Sequence, residues 1–126
     1  MKILVSGASG LIGSALVPEL EAAGHTVRRL VRREQNSSLE VPWRTDNLHP
    51  AAVESFDAVV HLAGRNVGTR WTANAKQEIR QSRVQGTQTI ADAVTEAYRR
   101  NGKPSVLVSV SGVGYYGNRG DEVLTE

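Results

Sequence analysis

The stretch Met1-Lys2-Ile3-Leu4-Val5-Ser6-Gly7-Ala8-Ser9-Gly10-Leu11-Ile12-Gly13 decides the fold. Ile3, Leu4 and Val5 make an apolar run of strand character. A helical pattern, Leu11-Ile12-x-x-x-Leu16, follows the glycines at once. A strand, a tight turn and a helix N-terminus, in that order, form the geometry that binds the pyrophosphate of a dinucleotide. The spacing is Gly-x-x-Gly-x-x-Gly rather than Gly-x-Gly-x-x-Gly. Gly7 is expected to turn the chain sharply off the strand. Gly10 is expected to let the backbone approach a phosphate with no Cβ in the way, and Gly13 to let the helix pack close to the strand. The candidate cofactor residues of this turn are Gly7, Ser9, Gly10, Leu11, Ile12 and Gly13, with the Ser6 and Ser9 hydroxyls as further donors to phosphate.

Outward from that turn, strands and helices alternate. A first helix is expected over 11–23, with Ile12, Leu16 and Leu20 on its apolar stripe and Gly24 as its stop. A second strand follows over 26–31. Glu40-Val41-Pro42-Trp43 reads as a short third strand at a sheet edge, where proline is tolerated. Residues 50–55 read as a short helix and 57–63 as a buried strand. A long helix over 73–100 carries a stripe of Ile79, the Arg83 stem, Thr87, Ile90, Val94 and Tyr98. Gly102-Lys103-Pro104 ends it, and 105–110 form the last strand. The fold class is therefore α/β: a Rossmann-type, doubly wound parallel sheet in three αβα layers, with strand order 3-2-1-4-5. No sixth strand follows. The chain is expected to be one dinucleotide-binding domain over residues 1–126, the N-terminal part of a longer enzyme, truncated after about five strands.

Composition narrows the function classes. The 126 residues suffice for one core, and 40% hydrophobic with 22% charged residues is ordinary for a globular protein. The chain has no cysteine, which excludes disulfides, thiol nucleophiles and cysteine metal sites. The N-terminus leads straight into a strand and no apolar run reaches membrane-spanning length, so no signal peptide or membrane partner is expected. The expected location is the cytoplasm. Net charge is only +2, but Arg28, Arg29, Arg32 and Arg33 cluster. Such a cluster raises nucleic-acid binding, but no aromatic residues interleave it, and a phosphate-binding role is preferred.

The arginines also bear on which dinucleotide is bound. An acidic residue about 20 positions past the glycines accepts from the ribose 2′-hydroxyl of NAD. Here Arg32 and Arg33 stand at the end of the second strand. A guanidinium binds a 2′-phosphate that a carboxylate would repel. NADP is therefore preferred to NAD, although Glu34 is close by. Leu62, Ala63 and Gly64, at the carboxyl end of the fourth strand, complete the candidate cofactor residues. His61 beside them is read as a packed strand histidine.

Together these residues resemble the extended and atypical short-chain dehydrogenase/reductases over essentially the whole chain. Gly7 to Gly13 is similar to their cofactor fingerprint, His61-Leu62-Ala63-Gly64 to their strand-four motif, and Ser109-Val110-Ser111 with Tyr115-Tyr116-Gly117 to their strand-five region. Arg70-Trp71-Thr72, Ser82-Arg83-Val84-Gln85-Gly86-Thr87 and 114–122 are similar to the nucleoside-diphosphate-sugar epimerase-like subgroup. The resemblance implies hydride transfer at a hydroxyl or carbonyl carbon, with a nucleotide sugar or other polar carbonyl compound as substrate. It implies a serine on strand five that orients the substrate oxygen. Ser111 is the best match to it, and Ser109 competes. It also implies a tyrosine with a lysine four residues later; no tyrosine of this chain has one. The chain alone is thus expected to lack turnover. A non-catalytic NADP-binding sensor is the alternative. Truncation is expected to bare the last strand, which invites a homo-oligomer through the exposed sheet edge.

Overall fold

A computed structural model gives the fold and describes residues 1–111 and 118–123. The strands are β1 (Lys2–Ser6), β2 (Thr26–Val31), β3 (Glu40–Pro42), β4 (Ala58–His61) and β5 (Val106–Ser109). Two helices, α1 (Leu11–Ala22) and α2 (Ala73–Asn101), and a 3-10 turn at Pro50–Ala52 connect them. All strand pairs are parallel, and the order is β3-β2-β1-β4-β5. The chain thus reverses direction across the sheet between β1 and β4. In an open α/β sheet the ligand crevice lies there, at the carboxyl ends of the strands.

The central strands are apolar on both faces because both are covered. Ile3 and Val5 of β1 pack with Val27, Ala58 and Val17 beneath α1. Leu4 packs on the other face with Leu30, Val59, Phe56, Trp43 and the α2 residues Ile90, Ala93 and Ala97. At the opposite edge of the sheet from the crevice, Asp57 accepts from the Lys2 amide at 2.7 Å and pairs with Lys103 at 2.5 Å. These contacts tie the starts of β1, β4 and β5 together.

Both helices lie where the sequence puts them, and their expected stripes hold in part: Leu20, Ile90 and Val94 pack on the core, while Ile12, Arg83 and Tyr98 are exposed. In α1 the buried residues are Gly13 and Val17, while Ile12 is exposed. In α2 the buried face is Ala75, Gly86, Ile90, Ala93, Val94 and Ala97; Arg83 and Tyr98 face solvent. Small residues share these faces with Val17, Ile90 and Val94. The Thr72 hydroxyl caps α2 by accepting from the Ala75 amide at 3.1 Å, and Gly102 ends it in the left-handed region at φ 74°. The expected helix at 50–55 is only the 3-10 turn.

On the α1 side of the sheet, β5 is half exposed. Val106, Val108 and Val110 are 44–50% exposed, whereas Leu107, on the α2 side, packs against the core. No described helix is long and apolar enough to cross a membrane.

Candidate cofactor site

The site begins where β1 ends. Gly7 has φ +70°, and a Cβ built on it would lie 2.7 Å from both the Ala63 nitrogen and the Leu62 carbonyl carbon. Glycine is therefore required twice at this position, for the left-handed turn and for the close approach of the β4 end. The Gly10 amide donates to the Gly7 carbonyl at 3.0 Å and closes the turn. A Cβ on Gly13 would run into the Ala8 backbone, 2.6 Å from its Cα. Gly10 is the N-cap of α1 and offers no side-chain cap. The first intrahelical bond there is Ser14 N–H to Gly10 C=O at 2.8 Å. The preceding amides at the head of α1 therefore have no intrahelical acceptor, a disposition suited to an anion.

A cleft of about 590 Å³ opens over this turn. Its floor is Gly7, Ala8, Ser9 and Gly10 from the glycine turn and Leu62, Ala63 and Gly64 from the β4 end. Its far wall is Arg29, Arg32 and Arg33 of β2 and the segment after it, with Glu40 and Trp43. The structure thus brings Gly7, Ser9, Gly10, Arg32, Arg33, Leu62, Ala63 and Gly64 to one cleft. Leu11, Ile12 and Gly13 do not line it. The Leu11 and Ile12 side chains are exposed, at 92% and 57%.

Ser6 is not the phosphate donor expected. Its side chain is fully buried; its Oγ lies 2.6 Å from His61 Nδ1 and accepts from the Ala63 amide at 3.3 Å. Ser6 and His61 are opposite one another in the β1–β4 register, so the bond stitches the two central strands together at their carboxyl ends. His61 is 3% exposed and meets Trp43 edge-on, with ring centroids 6.1 Å apart. Burial, and after it the positive charge of Arg83, hold the imidazole below the usual histidine range. His61 is thus a packed strand residue, as expected, with the added task of holding Ser6.

The two arginines differ. Arg33 grips the Glu40 carboxylate with both terminal nitrogens, at 3.0 and 2.5 Å, and also donates to the Glu34 carbonyl at 3.0 Å. Glu40 accepts a third bond from the Asn36 amide at 2.9 Å. These bonds, Arg33's first, hold the Glu40 carboxyl below the usual carboxylate range. Arg32 is exposed and makes no side-chain hydrogen bond or ion pair among the described residues.

Ser111 is exposed and lies two residues beyond β5, outside the cleft. Ser109 ends β5 opposite His61. Tyr115, Tyr116 and Gly117 lie outside the described residues, as do 112–114. Trp71 is 61% exposed, and its indole N–H donates to the Val67 carbonyl at 2.9 Å. The Arg83 guanidinium lies against the Gly64 backbone, where an added Cβ would meet its terminal nitrogen at 2.9 Å. Glu40 and Trp43 are the wall residues that sequence reasoning missed as site components. Glu40's isolated position between apolar neighbours in an edge strand was the available signal.

Known proteins agree with this geometry. Residues 3–126 match the NAD dependent epimerase/dehydratase family. An epimerase family protein of Mycobacterium bovis is 42% identical over 127 aligned positions, covering 98% of this chain and 40% of that protein. Among solved structures, a nucleoside-diphosphate sugar epimerase from Corynebacterium glutamicum superposes with TM-score 0.79 at 34% identity, covering 98% of this chain and 25% of that one. The human epimerase family protein SDR39U1, solved with NADPH, gives TM-score 0.76 at 36% identity, covering 92% of this chain and 38% of that one. The chain therefore spans about 40% of the length of the curated relatives it matches. It belongs to the NAD dependent epimerase/dehydratase family, as the NAD(P)-binding Rossmann portion of a short-chain dehydrogenase/reductase-type protein.

Proposed function

We propose that this chain binds NADP in preference to NAD and is the cofactor-binding portion of a longer oxidoreductase or epimerase-like enzyme. The observation that carries the choice of cofactor is the cationic wall at the end of β2. Arg32 and Arg33 stand where an NAD-binding site places a carboxylate, and Glu40, the acid that lines the cleft, is neutralised by Arg33. The relative solved with NADPH supports the same choice.

The residues present fit such a dinucleotide. Gly7 and Gly13 let the turn, the β4 end and α1 pack closely, the uncapped head of α1 suits the pyrophosphate, and Ala63 and Gly64 present a small surface beside it. A nicotinamide dinucleotide supplies hydride donation and acceptance when bound. This chain's own residues bind and orient it. Gly7 and Gly10 let the backbone approach, the α1 amides hold negative charge, and the Ser6–His61 bond keeps the β4 end in place.

The full-length protein is proposed to act on a hydroxyl or carbonyl carbon of a nucleotide sugar or similar polar compound, with Ser111 orienting the substrate oxygen. The solved nucleoside-diphosphate sugar epimerase supports that substrate class. The chain itself contains no Tyr-x-x-x-Lys pair, which supports binding without turnover. Calorimetric titration with NADPH and NADH tests the cofactor choice. Tighter NADPH binding is expected, and equal or reversed affinities would refute it.

A further inference from the structure

We propose that the two adjacent arginines have separate tasks: Arg32 alone reads the 2′-phosphate of the cofactor, and Arg33 is a positioning residue that Glu40 locks into the wall of the cleft. The inference rests on the NADP reading above and divides its cationic wall in two.

The first observation is how Arg33 spends its donors. A guanidinium has five N–H groups in a fixed fork. In Arg33 the terminal pair is committed to Glu40, and one of those nitrogens also serves the Glu34 carbonyl. The end-on fork, one of the two geometries that suit a phosphate, is already filled by Glu40; only Nε–H and the outer Nη2–H remain. Because Glu40 cancels its charge, the pair offers a dianion little net attraction.

The second observation is what Glu40 organises. Its carboxylate accepts from Arg33 and from the Asn36 amide, and its own amide donates to the Ser37 carbonyl at 3.1 Å. Its side chain is only 11% exposed, against 53% for Arg33. One partly buried acid therefore pins both sides of the 32–39 connection and sets the shape of the cleft wall. Arg29, exposed in that wall, also favours the ionised form of Glu40.

The third observation is the freedom of Arg32. It follows β2 directly and borders the main cleft as well as two hollows beside it, one running toward Gly64 and Ser82 and one toward Trp43 and His49. Its fork is unspent among the described residues, and it stands at the open junction of these spaces.

The experiment measures NADPH and NADH dissociation constants for the wild-type chain and for R32A, R33A, R33K and E40Q. Amide hydrogen exchange at Asn36, without ligand, is measured in parallel. R32A is expected to weaken NADPH about 10- to 100-fold, the range for lost charge-assisted hydrogen bonds, and to leave NADH within about twofold. R33A and E40Q are expected to weaken both cofactors by a common factor, to preserve their ratio, and to speed exchange at Asn36. R33K keeps the cation but loses the fork, so it should behave as R33A does; it also serves if R33A does not fold. A selectivity ratio that collapses in R33A as far as in R32A would overturn the division, as would a ratio unmoved by R32A. A wild-type chain with no NADPH preference would sink the cofactor reading and the Arg32 half with it. The Glu40 half would still be decided by exchange at Asn36, and slow exchange retained in E40Q would overturn it.

Discussion

Replacing Gly7 by alanine tests the part of the fold on which the cleft depends. Two separable costs arise. Gly7 sits at φ +70°, where an L-residue with a Cβ is strained by roughly 1–2 kcal/mol. The new Cβ would also lie 2.7 Å from two backbone atoms of the β4 end, Ala63 N and Leu62 C, which cannot rotate away. Overpacking of this kind costs about 1–3 kcal/mol, so the total is about 2–5 kcal/mol. Gly24 supplies the control. It has φ +81° but nothing within 4 Å of an added Cβ, so Gly24→Ala carries the strain alone. Urea unfolding of the two variants therefore isolates the contact between the glycine turn and β4 as their difference, expected at about 1–3 kcal/mol. A Gly7→Ala chain as stable as Gly24→Ala would refute the close packing of the turn on the β4 end, and with it the argued shape of the cleft floor.

Other perturbations bear on neighbouring parts of the site. Ser6→Ala strands the buried His61 Nδ1 and the Ala63 amide, so urea unfolding should show a loss of about 1–3 kcal/mol; a loss near zero would mean that the stitch between β1 and β4 is idle. His61 is held below its ordinary pKa of 6.5 in the folded chain, so the unfolded chain binds the proton more readily. Its contribution is complete above about pH 7 and is lost as pH falls through the unfolded value toward the folded one, with a slope of at most ~1.4 kcal/mol per pH unit. Denaturation of wild type and His61→Phe across pH 5–8 should show that slope only in the wild type. The outer edge of β5, unpaired among the described residues, and its half-exposed Val106, Val108 and Val110 favour self-association of the 126-residue chain. Sedimentation should detect assemblies that Val108→Lys disperses, and a clean monomer at high concentration would contradict this.

The parts of the fold that read correctly from sequence were those set by local chemistry. The glycine spacing, the apolar runs of β1 and β4 and the alternation of strands with helices each depend on neighbours in the chain, and together they imply the observed strand order. The helix faces read only in part. Leu20, Ile90 and Val94 mark the buried sides as large apolar residues should, but Gly13, Gly86, Ala93 and Ala97 share them and give no apolar period to read. Ile12, Arg83 and Tyr98 are exposed. The site failed to read wherever its partners are distant or charged. Ser6 beside the glycines has the look of a phosphate donor until His61, 55 residues later, claims its hydroxyl. Glu40 has the look of a solvated residue in an edge strand until Arg33 folds back onto it.

The decisive measurement is calorimetric titration of the wild-type chain with NADPH and, in parallel, with NADH. A chain whose β2 end presents Arg32 to the cleft, with Glu40 neutralised by Arg33, should bind NADPH more tightly by about tenfold or more. Equal affinities, tighter NADH binding, or no binding of either cofactor would contradict the NADP-binding role proposed for this cleft.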